Sequence, residues 1–359
     1  MHCCIENMTQ TNTKLTKSQV TIIGAGPAGL QAAITLAENG VGVKLIEKHN
    51  TAGGHLAQWA HLFPDQRPAS EVFQALQKGV DQHSLQVVVD KQVSSLSKRN
   101  GKWEVKSVDG FSCESDAVIM ATGFNTFDAH QKEEYGYGVY PSVITSESLE
   151  SVFKGEQGWP FKPEKKDLRF GIVHCVGSRD AKCGNLYCSK VCCVTAVKQA
   201  IELKKRFPQS EVYCFYMDMR MFGNGYEELY QEAQTKYNIQ FIRGRLSEAS
   251  PANQNRVQVK AEDTLLGRPL KLTLDMLVLM VGMVPACQSE IVNDEIFLRD
   301  SGFEASFMKP NDGFVSMNAT PNEGLFLAGT CKGPATIPEV IQDGRSAAVE
   351  VVKYLKTKM

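Results

Sequence analysis

Apolar residues gather into short runs that are separated by turns and by longer segments with helical periodicity. The run over residues 19–23 predicts a buried strand, and residues 27–39 predict a helix that stops at Gly40. Residues 43–46 then predict a second strand. A strand, a helix and a strand of these lengths are typical of a βαβ unit with parallel strands, so the pattern indicates an α/β fold.

Similar runs continue through the rest of the chain. The Asn100-Gly101 pair predicts a hairpin between two of the later strands. Residues 128–168 are polar and rich in Pro, Gly and Lys, and predict a crossover into a second domain. The further predicted strands are 85–89, 92–98, 102–108, 116–120, 169–175, 211–216, 239–243, 256–260, 276–281 and 324–328, and the further helices are 71–78, 189–206, 226–237 and 337–356.

The order of these elements predicts two domains, which suits a chain of 359 residues. We expect a nucleotide-binding domain over residues 19–165 and 288–359. An inserted α/β domain over residues 166–287 splits it, and residues 1–18 form a flexible tail.

Composition and charge exclude several classes of partner. A net charge of −1 favours neither nucleic acid nor a membrane surface. The longest apolar run, residues 274–286, is interrupted by Asp275 and is far shorter than the roughly 20 residues that span a bilayer. The start of the chain does not resemble a secretory signal. We therefore expect a cytoplasmic protein that does not insert into membranes.

The first strand ends in the glycine motif Gly24–Gly29, which reads GAGPAG and opens the predicted helix. Gly24 would permit the tight turn, Gly26 would let a pyrophosphate approach the backbone, and Gly29 would allow close packing. The helix N-terminus attracts phosphate, and Glu47 would accept hydrogen bonds from ribose hydroxyls. The alternative is a glycine turn without a ligand, which this strand–loop–helix context disfavours.

Three further features favour FAD over NAD. Gly53-Gly54 extends the site, and two later strands end in glycine, at Gly123 and Gly329. This trio resembles the two-dinucleotide-binding-domain flavoproteins of the thioredoxin-reductase-like group. In that group an acidic residue follows the last strand, whereas this chain has Thr330. The predicted FAD-binding residues are Gly24, Gly26, Pro27, Ala28, Gly29, Glu47, Lys48, Gly53, Gly54, His55, Leu56, Val93, Ala121, Thr122, Gly123, Gly329, Thr330 and Ile337.

Five of the 11 cysteines lie between Cys175 and Cys193. Cys188 and Cys192 are four residues apart and would share a face of the predicted helix, whose N-terminus favours thiolates. Four thiolates from this segment can converge, as an iron–sulfur cluster requires. Tetrahedral zinc and a group of buried, inert thiols are the alternatives.

Several motifs together resemble the A-type subunit of heterodisulfide reductase: residues 176–180 (VGSRD), 187–193 (YCSKVCC), 225–228 (GYEE), 281–285 (VGMVP) and 328–334 (AGTCKGP). The resemblance implies FAD and a [4Fe-4S] cluster whose ligands are Cys175, Cys188, Cys192 and Cys193, with Cys183 outside the cluster. It also implies partner subunits, such as heterodisulfide reductase B- and C-like proteins, and a possible homodimer. Ferredoxin-type inserts and a C-x-x-C after the double glycine, both found in long family members, are missing, so the chain resembles the short forms.

The inserted domain lacks a complete glycine motif, since its first strand continues into Val176-Gly177-Ser178. An NAD(P)H pocket there would be degenerate, and we expect an electron-transfer subunit without an acid, base or nucleophile of its own. A self-contained NAD(P)H-dependent flavin or disulfide reductase is the alternative function. His55 and His61 follow the double glycine and could approach the flavin, but solvated loop histidines are the more common case.

Overall fold

The computed structural model describes residues 17–286 and 307–358, and the chain divides into two compact units. The first unit takes its described residues from Met1–Ala57, Ser70–Asn125 and Val284–Met359, and the second unit comprises Gln58–Ala69 and Thr126–Met283. The division after Asn125 differs from the predicted boundary at residue 165. Almost all of the predicted tail lies outside the described residues.

Strands and helices alternate through most of the described chain. The strands are β1 (Gln19–Ile23), β2 (Gly42–Ile46), β3 (His61–Leu62), β4 (Arg67–Pro68), β5 (Val87–Val88), β6 (Val93–Arg99), β7 (Lys102–Ser107), β8 (Ser112–Ser115), β9 (Ala117–Met120), β10 (Phe124–Thr126), β11 (Val143–Thr145), β12 (Arg169–Val176), β13 (Glu211–Tyr216), β14 (Gln240–Arg243), β15 (Leu246–Ala252), β16 (Arg256–Asp263), β17 (Arg268–Leu274), β18 (Met276–Val281), β19 (Met283–Pro285) and β20 (Leu325–Leu327). The α-helices are α1 (Pro27–Glu38), α2 (His55–Gln58), α3 (Ala69–Gln82), α4 (Ser146–Lys154), α5 (Cys192–Arg206), α6 (Tyr226–Thr235) and α7 (Ile337–Thr357). Within the described ranges, none of the helices combines the length and hydropathy that crossing a bilayer would require.

The first unit is built on a five-stranded sheet of order β20-β9-β1-β2-β5. Strand β1 is parallel to both of its neighbours, which confirms the predicted βαβ unit. Helix α7 packs on α1, and the two backbones approach so closely that a Cβ at Gly344 would overlap the Ala28 carbonyl oxygen. Strands β6, β7 and β8 form an antiparallel sheet, in which Asn100 and Gly101 have φ values of 50° and 80° and make the predicted hairpin turn.

The second unit contains a parallel sheet of order β11-β18-β12-β13-β14, with the antiparallel sheet β15-β16-β17 beside it in sequence. Its core consists of apolar side chains from the strands and from α5, including Phe170, Ile172, Val197, Ile201 and Val278. No helix was predicted within residues 128–168, but α4 lies there. Thr145 caps α4 by accepting a hydrogen bond from the Ser148 amide at 3.1 Å, and Gly155 ends the helix with φ 78°.

Candidate dinucleotide and cysteine sites

The glycine loop after β1 uses two of its glycines for packing. Gly24 has φ +106° and its amide donates to the Ile46 carbonyl at 2.7 Å. A Cβ at Gly24 would overlap the Ala121 oxygen, and a Cβ at Gly29 would overlap the Gly24 oxygen. Side chains at either position would therefore push α1 away from the sheet.

Gly26 serves a different purpose, because its backbone faces open space. It is the N-cap of α1, it offers no capping side chain, and a Cβ there would meet no heavy atom within 4 Å. The double glycine lies against the same loop: the Gly53 amide donates to the Ala25 carbonyl at 2.8 Å, and a Cβ at Gly54 would lie 3.2 Å from the Gly26 Cα. This arrangement leaves the amides at the start of α1 accessible to a phosphate group.

Glu47 is buried and orients the loop. Its Oε2 accepts a hydrogen bond from the Ala25 amide at 2.8 Å, and its Oε1 accepts one from the His49 amide at 3.0 Å. A carboxylate has about four lone-pair positions, so two acceptor positions remain for hydroxyl groups such as those of a ribose.

The other predicted glycines come together at the ends of β9 and β20. The Thr122 hydroxyl is buried without a hydrogen-bond partner, and Gly123 has φ +73°. The Thr330 Oγ1 lies 3.8 Å from the position that a Cβ at Gly123 would take. Buried hydroxyl groups normally have a hydrogen-bond partner. Since the protein supplies none for Thr122, a ligand bound between these two backbone segments could do so.

Asp343 is a residue of this region that the sequence prediction missed. Its Oδ2 accepts a hydrogen bond from the Gly329 amide at 2.6 Å, and its Oδ1 pairs with Lys332 at 2.6 Å. Asp343 lies inside α7, 14 residues after Gly329, and its place in a helix gives no sequence pattern that indicates the contact. It supplies a carboxylate next to Thr330, where the flavoprotein pattern has an acidic residue.

The remaining predicted FAD-binding residues differ in exposure. Leu56 and Val93 are buried in the protein interior, Lys48 is exposed, and Pro27 and Ile337 begin α1 and α7. The His55 ring stacks on Phe124 with centroids 4.2 Å apart. His61, expected to be solvated, is partly exposed, and its Nδ1 lies 2.5 Å from the Glu202 carboxylate, a pairing that the sequence did not predict.

The cysteine site lies at the carboxyl end of β12 and the start of α5. Cys175 has φ +59°, which is unusual for a residue with a side chain, and Cys192 and Cys193 open α5. Cys188 lies before the helix, because Lys190 has φ +61° and the helix begins only at Cys192. The prediction that Cys188 and Cys192 share a helix face was therefore wrong.

The four predicted ligands share one electrostatic environment. Burial raises the pKa of Cys193 to about 11, and the neighbouring thiols Cys175 and Cys188 add to the increase. Burial also raises the pKa of Cys192 well above its ordinary value, with contributions from the three other thiols. The pKa of Cys183 is raised by burial and then by Asp180, with no contribution from these four.

Burial thus outweighs the thiolate-favouring effect that we expected from the helix N-terminus. Metal coordination deprotonates a thiol outright. Four buried neighbouring cysteines are therefore better suited to bind a metal than to exist as free thiolates. Backbone donors are in place as well, since the Lys190 amide lies 3.3 Å from the Cys188 sulfur. In the part of the chain that the structure describes, no three His, Cys, Asp or Glu side chains surround a single-ion position. A [4Fe-4S] cluster has a different requirement, because each cysteine binds a separate iron.

The glycine loop of the second unit is covered by protein. Gly177 has φ +72°, and a Cβ there would overlap the ring of Phe127. The Phe127 amide donates to the Gly282 carbonyl at 2.9 Å, and its side chain is 4% exposed, so the ring is held in place. A pyrophosphate has no open backbone to approach at this position.

Comparisons with known proteins agree with this architecture. A family described as pyridine nucleotide-disulphide oxidoreductase matches residues 18–166. Thioredoxin reductase of Lactococcus lactis has the same fold, with a TM-score of 0.67 at 18% identity over 95% of this chain and 100% of that one.

Curated relatives are more similar in sequence. The chain is 30% identical, over 93% of its own length, to an iron-sulfur A-type subunit of the CoB--CoM heterodisulfide reductase of Methanopyrus kandleri. It is 40% identical, over 66% of its length, to the A-type subunit of the H(2):CoB-CoM heterodisulfide,ferredoxin reductase of Methanothermobacter thermautotrophicus. The chain spans 64% and 36% of these two relatives, respectively.

The chain therefore has the fold of thioredoxin reductase, with two dinucleotide-binding-type units. In sequence it is similar to A-type subunits of heterodisulfide reductases over part of their length.

Proposed function

We propose that the protein is the flavin- and iron–sulfur-containing electron-transfer subunit of a heterodisulfide reductase-like complex. In this proposal Cys175, Cys188, Cys192 and Cys193 bind a [4Fe-4S] cluster, and electrons pass between the flavin, the cluster and partner subunits. The observation that carries the proposal is the position of these cysteines at the carboxyl end of β12 and the start of α5, in a chain similar to an iron-sulfur A-type subunit over 93% of its length.

The residues of the chain hold the cofactors and set their surroundings. FAD would supply two-electron chemistry and the cluster one-electron chemistry, while the protein contributes position and potential. Gly26 and the first amides of α1 would hold the pyrophosphate, and Glu47 would hold a ribose. Because the loop at Gly177 is covered, we place no NAD(P)H in the second unit and expect a different electron donor.

Iron and acid-labile sulfide, measured per chain on anaerobically purified or reconstituted protein, test the ligand assignment. We expect about four irons per chain in the wild type, because this number defines the cluster. Cys192→Ser and Cys188→Ser should lose the iron and keep the flavin, which lies on other elements.

Cys183→Ser is the matched control and should retain both cofactors. Cys183 is eight residues along the same segment from Cys175, but its thiol interacts with Asp180 instead of with the four ligands. Iron-free wild type, or equal iron in Cys192→Ser, would refute the cluster and leave the flavin assignment intact.

A further inference from the structure

Four arginines lie at the edge of the second unit where the cysteine site is found. Strands β12, β13 and β14 are parallel, so their carboxyl ends meet at one edge of the sheet. Arg179 follows β12, Arg220 follows β13, and Arg243 and Arg245 lie at the end of β14. Residues distant in sequence are thereby brought to one edge.

Arg179 and Arg245 are in direct contact, and all but Arg245 act on one carboxylate, that of Asp218. The Arg179 Nη2 binds the Asp218 carboxylate at 2.6 Å, and the Arg245 Nη2 donates to the Arg179 carbonyl at 3.0 Å. The Arg179 guanidinium, followed by the charges of Arg243 and Arg220, holds the pKa of Asp218 below its usual value. We call these four arginines the arginine cluster.

Among the described residues, one carboxylate forms an ion pair with the arginine cluster. It is that of Asp218, so four arginines and one aspartate leave an excess of three positive charges. Lys132 with Asp180 and Glu134 forms an adjacent group with one excess negative charge, so these described side chains together keep a positive excess. The whole chain carries a net charge of −1, so this positive charge is a local feature.

The arginine cluster lies next to the cysteines that we propose as ligands of the [4Fe-4S] cluster. The Cys193 thiol donates to the backbone carbonyl of Asp218 at 3.7 Å, and the Asp218 carboxylate is the one that Arg179 binds. Two large apolar side chains flank the same segments in sequence: Phe222 is 72% exposed two residues after Arg220, and Leu186 is 61% exposed two residues before Cys188. Exposed apolar groups next to uncompensated charges are typical of protein interaction surfaces.

We propose that this edge, with the arginine cluster and Phe222, is the docking surface for a small electron-carrier protein whose own docking face is rich in carboxylates. The inference deepens the proposed function, since it rests on electrons leaving or entering at the cysteine site. Charge complementarity selects an acidic partner and accelerates its association, while the exposed ring favours a protein over a small anion.

The test uses a plant-type [2Fe–2S] ferredoxin as an acidic probe and measures its dissociation constant by calorimetry with the anaerobically purified full chain. Binding at low salt should weaken as salt is added, because exposed charges are screened. The double variant Arg243→Glu/Arg245→Glu should weaken binding at least about tenfold. The control Arg256→Glu/Arg268→Glu makes the same change in net charge on the β16–β17 hairpin and should leave binding unchanged.

Each outcome decides the inference. Equal binding by the two double variants would overturn it, as would displacement of the probe by millimolar pyrophosphate at constant ionic strength, which would assign the arginines to a small phosphate ligand. Iron content is measured on the same samples. Arginine-dependent binding by iron-free protein would support the docking surface and refute the [4Fe-4S] cluster. Arginine-independent binding by iron-loaded protein would refute the docking surface and leave the [4Fe-4S] cluster supported.

Discussion

The loop after β1 in the first unit and the loop after β12 in the second unit both contain a glycine between a parallel strand and a helix, but their surroundings differ. Gly26 faces open space, whereas Gly177 faces the ring of Phe127. In the first unit the protein leaves the amides of the helix start accessible to a ligand. In the second unit an aromatic side chain takes that place and cysteines occupy the helix start. Under the proposed function, one type of strand–loop–helix segment would support two kinds of redox site.

Replacement of Gly26 by valine is the most direct way to break this comparison. The branched side chain would fill the open space where we place the pyrophosphate, and φ −73° accommodates it without strain. We expect folded, colourless protein with essentially no FAD, measured by absorbance after extraction. Gly158→Val is the matched control, because Gly158 also has open space around it, and it should keep its flavin. A full flavin complement in Gly26→Val would show that the site is elsewhere.

The helices that follow the two loops also differ, since α5 contains a fully buried lysine. The Lys198 Nζ contacts the carboxylates of Glu150 at 2.5 Å and Glu202 at 3.3 Å, as well as the His61 carbonyl at 3.0 Å. Lys198→Met leaves two buried carboxylates without their cation and should cost about 3–5 kcal/mol in urea unfolding followed by tryptophan fluorescence.

The exposed pair of Lys236 and Glu232 provides the control for Lys198. Lys236→Met should change the free energy of unfolding by less than about 0.5 kcal/mol. An equally small effect of Lys198→Met would show that the ion pairs of Lys198, and its hydrogen bond to the His61 carbonyl, do not stabilise the second unit.

Reduction by NADH tests the covered loop at Gly177. Under anaerobic conditions we expect excess NADH to bleach the flavin at least about 100-fold more slowly than a typical turnover rate of about 10 per second. Dithionite should bleach the same sample fully, which shows that the flavin is reducible. Complete bleaching by NADH within seconds would contradict the prediction and support the self-contained reductase. Phe127→Ala sharpens the test, because a gain of NADH reactivity would assign the exclusion to the ring.

Elements with a strong hydrophobic pattern could be predicted to the residue. The strands Gln19–Ile23, Glu211–Tyr216 and Met276–Val281 have the predicted bounds, since each is a buried run whose pattern is unambiguous. Helix α4 was missed because it follows a strand of only three residues within a polar stretch. The late start of α5 depends on the left-handed backbone at Lys190, which no sequence pattern indicates.

The candidate sites were predictable where the chemistry is local. The glycine loop, Glu47 and the cysteine segment each lie in one short stretch of sequence. Asp343 and Phe127 could not be recognised in this way, because each acts on a glycine distant in sequence and becomes relevant only when the sheet has formed.

Strand β20 and helix α7 have a consequence for how the protein is made. The glycine loop emerges from the ribosome early, but β20 pairs with β9, and α7 packs on α1, only after about 200 residues beyond β9 have been added. At translation rates of about 5–20 residues per second, the β9 edge stays unpaired for on the order of ten seconds or more. In a nascent chain the strand and helix that flank the glycine loop therefore join it long after the loop itself has been made.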